Sequence, residues 1–123
     1  MDKRLSIRPQ IETINWDVNS SDIEFFQNQT LRPIIKMQND LLLEFFKDHS
    51  LSRKINLEEL TEIKRNEFVS ASLNKDSKLK LSLNHLIIGQ FSVNEFEVYK
   101  LNKSEFNKRI IKMIEQRLID QLK

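Results

Sequence analysis

The sequence predicts an all-α protein, a single compact bundle of five or six helices, and three observations support that prediction. The 123 residues include only one glycine and two prolines, so the tight turns of β-hairpins and phosphate-binding loops have few places to form. Apolar residues recur at helical spacing along most of the chain. Helix-capping patterns precede several of these stretches. We expect residues 1–123 to form one domain, with residues 1–20 as an irregular N-terminal arm that Trp16 anchors by packing.

Start and stop signals give the order of the helices. Ser20–Asp22 can cap a first short helix, and Pro33 suits the first turn of the second, where no internal N–H bond is lost. Capping-box patterns then precede three helices: Asn56 with Glu59, Ser92 with Glu95, and Asn102 with Glu105. The expected helices run to about residue 28 and over residues 30–48, 57–74, 78–88, 93–100 and 103–122.

Residues 78–84 fit two patterns. Leu79, Leu81 and Leu83 alternate as in a strand, whereas Leu79 and Leu83 also belong to a helical stripe that continues to Ile87. A lone strand needs a partner, and only residues 96–99 could supply one. The sequence therefore favours a helix that ends at residue 88, with Gly89 as its left-handed terminator.

Composition limits the class of protein. No apolar run exceeds three residues, which excludes a membrane span, and there is no cysteine to form disulfides or thiolate zinc sites. A cysteine-free chain of this kind is expected to be soluble and cytoplasmic. The net charge of +2 is uneven, at −2 for residues 1–74 and +4 for residues 75–123.

No pattern in the chain is typical of catalysis. His49 and His85 are isolated, without a second ligand at helical metal spacing, and no nucleophile elbow or glycine-rich loop occurs. We therefore assign no catalytic, cofactor-binding or metal residue, and the sequence favours a non-enzymatic protein.

Three polar residues fall on apolar helix faces: Gln38, Glu67 and Arg117. Long side chains at such positions can extend to the edge of the face and reach water. Alternatively, the three form an internal polar network, either structural or lining a small cleft. In that case we expect Arg117 to be at least half buried and to meet a carboxylate, with Glu67 as the favoured partner.

The C-terminal helix has an unusually wide apolar arc. Ile111, Leu118 and Leu122 extend it beyond the roughly 100° that a surface helix turns toward one core. Either this helix runs through the middle of the bundle or its second flank is an interface. The sequence slightly favours the interface, as a twofold homodimer.

The same helix carries a candidate basic patch. Its members are Lys103, Lys108, Arg109 and Lys112. The spacing of nearby carboxylates offsets part of that charge, since Glu105 and Glu115 can pair with Arg109 and Lys112.

Residues 26–42 (FQNQTLRPIIKMQNDLL), residues 87–96 (IIGQFSVNEF) and residues 107–109 (NKR) resemble a family of small, uncharacterised, all-helical bacterial proteins. Some of its members carry the automatic label "glyoxalase". The resemblance implies a helical fold from about residue 22 onward and brings no functional residues. Glyoxalase modules are β-α-β-β-β units with metal-binding His and Glu on strands, and this sequence has neither feature.

These observations favour a binding or regulatory protein whose partner is another macromolecule, either another protein or a second copy. One alternative is a nucleic-acid-associated protein that uses the basic patch. Another is a small-ligand protein or enzyme built on Gln38, Glu67 and Arg117.

Overall fold

The computed structural model describes residues 20–122, and this range contains α-helices and short helical turns but no strand. The all-α fold class is therefore confirmed. Residues 1–19 of the predicted arm, including Trp16, lie outside the described residues, whereas Ser20 already belongs to the first helix. The helices are α1 (Ser20–Phe26), α2 (Arg32–Met37), α3 (Asn39–Ser52), α4 (Glu62–Lys75), α5 (Ser77–Ile88), α6 (Val93–Tyr99) and α7 (Lys103–Gln121).

A wide helical turn separates α1 from α2. Residues Gln27–Leu31 form a π-helix, and the Arg32 N–H donates to the Gln27 carbonyl five residues back. The predicted helix over residues 30–48 is divided again at Gln38, which ends α2 and precedes α3. Pro33 does lie in the first turn of α2, as its position predicted.

Residues 78–84 are helical, which confirms the choice of helix over strand. Leu79, Leu83 and Ile87 lie buried along one face of α5, while Leu81 is 57% exposed. The predicted left-handed terminator is wrong, because Gly89 has right-handed angles of φ −61° and ψ −14°. The chain instead leaves α5 in a tight turn closed by the Gln90 N–H on the Ile87 carbonyl.

The capping patterns have different outcomes. Ser92 and Glu95 form the complete predicted box, in which the Glu95 N–H donates to Ser92 Oγ at 3.2 Å and the Ser92 N–H donates to Glu95 Oε1 at 2.7 Å. At α7, Asn102 Oδ1 accepts from the Glu105 N–H at 3.3 Å. Both helices therefore begin where the sequence predicted.

The start predicted for the helix over residues 57–74, which corresponds to α4, is wrong. Asn56 caps only the short 3-10 turn Leu57–Glu59, accepting from the Glu58 N–H. Leu60 is then extended, so helical geometry cannot continue through it. Helix α4 begins five residues later than predicted, with Thr61 Oγ1 accepting from the Lys64 N–H.

Asp76 joins α4 to α5 and links both to α3. Its Oδ1 accepts from the Leu79 N–H at 3.1 Å, and its Oδ2 accepts from Arg53 at 2.6 Å. His49 Nε2 lies 3.8 Å from the same Oδ2. The Leu79 N–H, together with the nearby Arg53 and His49, holds the pKa of Asp76 below its usual value, against the opposing effect of burial.

Helix α7 runs through the middle of the bundle and contacts α2, α4 and α5. Ile111 and Leu118, predicted as part of a dimer interface, are 8% and 2% exposed, and Leu122 is half-buried against the same core. The interface prediction is therefore wrong for Ile111 and Leu118. Their wide apolar arc is covered by the protein's own helices, the alternative that the sequence had left open.

Four aromatic side chains from α1, α6, α7 and the α5–α6 connection form an aromatic cluster at one end of the bundle: Phe26, Phe91, Tyr99 and Phe106. The Phe26 and Phe106 rings are 4.8 Å apart, and Phe91 meets both Phe26 and Tyr99 at 5.6–5.8 Å. All four are at most 5% exposed. The Tyr99 hydroxyl donates to Asn107 Oδ1 at 2.6 Å, and burial raises the pKa of this phenol above its usual value.

Candidate binding groove

A concave surface of the described bundle runs along α7, and we call it the α7 groove. Its volume is about 1840 Å³, and it is open to solvent. Helix α7 lines it from Ser104 to Gln121. The remaining walls come from the π turn and α2, from the end of α4, and from α5. The groove therefore combines segments that are distant in sequence.

The charge of this lining is predominantly positive. Three carboxylates oppose the cations: Glu105, Glu115 and Asp120. The cations number seven and come from three helices: Arg32, Lys36, Lys80, Lys108, Arg109, Lys112 and Arg117. This surplus, on a chain whose net charge is only +2, makes the groove an attractive surface for anionic groups.

The groove cations differ in how they are paired within the described part of the chain. Arg109 donates to Glu105 at 3.1 Å and to Gln27 Oε1 at 2.9 Å, which ties α7 to the π turn. By contrast, Lys36, Lys108 and Lys112 have no carboxylate within salt-bridge distance among residues 20–122. These three lysines are exposed and available to a ligand.

The sequence placed part of this surface correctly. Lys108, Arg109 and Lys112 of the predicted basic patch line the groove, while Lys103 does not. The predicted Arg109–Glu105 pair is present. The pairing predicted for Lys112 is wrong, because Glu115 instead accepts from Asn74 Nδ2 of α4 at 3.3 Å.

Beneath the charges lies an apolar floor. Ile35, Leu73 and Ile111 contribute to it and are almost completely buried, while Leu81 of α5 stands exposed at one side. The described residues contribute no aromatic side chain to the lining. The groove thus offers aliphatic contacts together with cations, and no surface on which a base could stack.

Asn84 of α5 is the most informative polar residue in the groove. It is only 8% exposed, and its Oδ1 is buried without a hydrogen-bond partner. Leaving a buried acceptor unpaired typically costs about 1–3 kcal/mol. Two other buried side-chain atoms between residues 20 and 122 share this condition, Thr30 Oγ1 and Arg65 Nε, but neither residue lines the groove.

The predicted cluster of Gln38, Glu67 and Arg117 does not assemble. Gln38 is half-buried and donates to the Leu86 carbonyl at 3.2 Å, whereas Glu67 is exposed on α4. Arg117 is mostly buried as predicted, but its partner is Asn39 Oδ1 at 3.1 Å and not a carboxylate. The Asn39 amide oxygen therefore takes the place that the sequence had predicted for the Glu67 carboxylate, because Glu67 lies on the exposed face of α4.

Among the described residues, no group of three or more His, Cys, Asp or Glu side chains is arranged to hold a metal ion. None of the helices there is both long and apolar enough to cross a bilayer. No family model, curated protein or solved structure significantly matches this chain.

Four groove residues were missed at the level of sequence: Arg32, Lys36, Lys80 and Asn84. Each lies on α2 or α5, far from the basic patch along the chain. Their charges and amide give no periodic signal, because a groove between helices depends on how those helices pack. The positive net charge of residues 75–123 was the only indication in the sequence, and it indicated only the wall that α7 forms.

Proposed function

We propose that this protein is a non-enzymatic binding protein that holds part of a macromolecular partner in the α7 groove. The observation that carries the proposal is a groove of about 1840 Å³ with seven cations and three carboxylates on its lining. Pockets for small ligands usually measure about 300–1000 Å³ and enclose their ligand. A larger, open groove suits a segment of a polymer.

The alternative of a small-ligand protein or enzyme has less support. Only Arg117 of the three residues invoked for it lines the groove, so the cleft that this function required is not assembled by them. Asp76 and Tyr99, whose pKa values are displaced, also lie outside that lining. A displaced pKa is informative about catalysis when it occurs within a cleft.

Nucleic acid is the second candidate partner, because Lys108, Arg109 and Lys112 gather in the groove with cations from α2 and α5. Two features rank it lower. Carboxylates interrupt the cations and would repel phosphates, and the lining has no aromatic side chain for stacking among residues 20–122.

Site-specific photo-crosslinking in the native host tests the proposal. The photoreactive residue p-benzoylphenylalanine replaces Leu81 in the groove or, as matched control, Ile63 on α4, which is 72% exposed and outside the groove. We expect a discrete macromolecular adduct from position 81 and none of that mass from position 63. Charge reversal by Lys36→Glu with Lys112→Glu should remove the adduct. The same adduct from both positions, or one indifferent to charge reversal, would contradict the proposed function.

A further inference from the structure

We infer that the partner segment held in the α7 groove is an acidic, leucine-bearing stretch of polypeptide, and that Asn84 Oδ1 accepts a hydrogen bond from one of its peptide N–H groups. This assignment rests on the proposed binding function and specifies the chemistry of the ligand. It follows from three properties of the groove taken together: its charge, its floor and its orphaned acceptor.

The charge selects an anionic partner. Lys36, Lys108 and Lys112 lie on two helices and have no described carboxylate within salt-bridge distance. Carboxylates of a partner would complete these pairs and accelerate association. The cations occur on more than one wall, so acidic residues distributed along a segment match them better than a single anionic group would.

The floor selects a polypeptide over a nucleic acid. Leu81, which is 57% exposed, and the half-buried Met113 present aliphatic surface beside the cations, and aliphatic side chains of a partner can cover it. Nucleic acid offers few groups of that kind, and its bases would stack best on aromatic side chains, of which the described residues contribute none to the lining.

The orphaned acceptor defines a hydrogen bond that the ligand supplies. Asn84 is only 8% exposed and lines the groove, yet its buried Oδ1 accepts from no group in the described part of the chain. A carboxylate cannot satisfy this oxygen because it has no proton to donate at neutral pH. A peptide N–H can, and every residue of a polypeptide except proline carries one.

Fluorescence anisotropy of the full chain tests the inference with defined probes. The first probe is a labelled peptide of leucines and glutamates; the second replaces each glutamate by glutamine; the third is a labelled single-stranded oligonucleotide. We expect the acidic peptide to bind best, with an affinity that falls as salt is raised. The glutamine peptide should bind about tenfold more weakly. Equal binding of the two peptides, or tighter binding of the oligonucleotide, overturns the inference.

Matched variants separate specific from general effects. Lys112→Gln should weaken the acidic peptide by about three- to tenfold, whereas Lys103→Gln, on the same helix but outside the groove, should not change it. Equal effects of the two would indicate only a general attraction by the positive end of the chain and would contradict the assignment.

Asn84→Leu provides the signature of the orphaned acceptor. It removes an amide oxygen that makes no hydrogen bond in the free protein, so the melting temperature should stay the same or rise. Peptide affinity should nevertheless fall by about three- to tenfold. If leucine cannot be accommodated, Asn84→Ala makes the same comparison. Unchanged affinity in a folded variant would rule out the hydrogen bond.

The two levels of the proposal fail differently. A position-81 crosslink together with no preference for the acidic peptide would leave the binding function standing and reject the acidic ligand. If the crosslink is not specific to position 81, both the binding function and the acidic ligand are rejected.

Discussion

The aromatic cluster and the α7 groove lie on the same central helix but satisfy their polar groups in opposite ways. Around the cluster, the Tyr99 hydroxyl donates to Asn107, and Ser92 and Glu95 cap each other's backbone. In the groove, an amide oxygen of Asn84 is buried, and this oxygen and several lysines have no partner among residues 20–122. Interior groups are normally paired because burial of an unpaired one is costly. The difference indicates that the cluster stabilises the fold, whereas the unpaired groups of the groove are the ones that the proposed function would use.

The largest expected effect lies in the aromatic cluster. Phe106 is 1% exposed and its ring lies 4.8 Å from that of Phe26, so Phe106→Ala should lower the free energy of unfolding by about 3–5 kcal/mol. Chemical denaturation followed by circular dichroism measures it. A loss below about 1 kcal/mol would mean that this end of the bundle is not the stabilising region.

The capping box formed by Ser92 and Glu95 gives the next largest effect. Glu95 is fully buried and accepts from the Ser92 N–H, so Glu95→Ala should cost about 1–3 kcal/mol by leaving that donor unpaired. Glu105 is the matched control at the same position of α7, and it is partly exposed. Glu105→Ala should cost about 1 kcal/mol or less. Equal losses would show that the hydrogen bond from the Ser92 N–H to Glu95, which the Asn102 cap of α7 lacks, adds no stability.

Tyr99→Phe should have a smaller effect, about 0.5–1.5 kcal/mol, because it removes the hydrogen bond to Asn107 and keeps the ring. It should also change the alkaline behaviour. Burial raises the pKa of Tyr99 in the folded state, so above the usual value near 10 the unfolded state loses the proton first. The stability that the neutral phenol provides is present below that pH and is lost as pH rises through the higher folded pKa. The free energy of unfolding, measured from pH 8 to 11, should therefore fall more steeply with pH in the native protein than in the variant.

The smallest expected effects belong to the groove. Lys36→Gln, Lys108→Gln and Lys112→Gln should each change the free energy of unfolding by no more than about 0.5 kcal/mol, since none has an ion pair to lose among the described residues. Parallel denaturation curves measure the change. A loss of more than about 1 kcal/mol in any one would indicate that the lysine supports the fold, and the contrast with the aromatic cluster would disappear.

The success of the sequence predictions depended on the range of the interaction involved. The Ser92–Glu95 box and the helical stripe of α5 are set by residues three or four apart, and both were predicted correctly. The helix start predicted at Asn56 was wrong because a short 3-10 turn followed by an extended residue can begin with the same sequence pattern as a helix. The left-handed terminator predicted at Gly89 was wrong because the turn after α5 closes with right-handed angles, for which glycine is not required.

The candidate site was less accessible to prediction. One wall could be anticipated, since Lys108, Arg109 and Lys112 follow each other along α7. The opposite walls could not, because Arg32 and Lys80 come near that helix only after the bundle has packed. Arg117 shows the same limit: its inward position was periodic and therefore predictable, but its partner Asn39 is 78 residues away in the chain.

The π turn Gln27–Leu31 has a consequence for how the chain tolerates changes in length. An α-helix advances about 100° per residue, so the phase between Phe26 and Ile34 depends on the number of residues wound between them. Both side chains are fully buried, whereas a regular α-helix would set them about 80° apart around its axis, toward the two edges of one apolar face. The wider turn takes up one surplus residue and keeps both in the core. A chain one residue shorter here, wound as an ordinary helix, would present the same faces to the core. A one-residue deletion at this point would therefore alter the wall of the groove, where Gln27 meets Arg109, and keep the phase between Phe26 and Ile34.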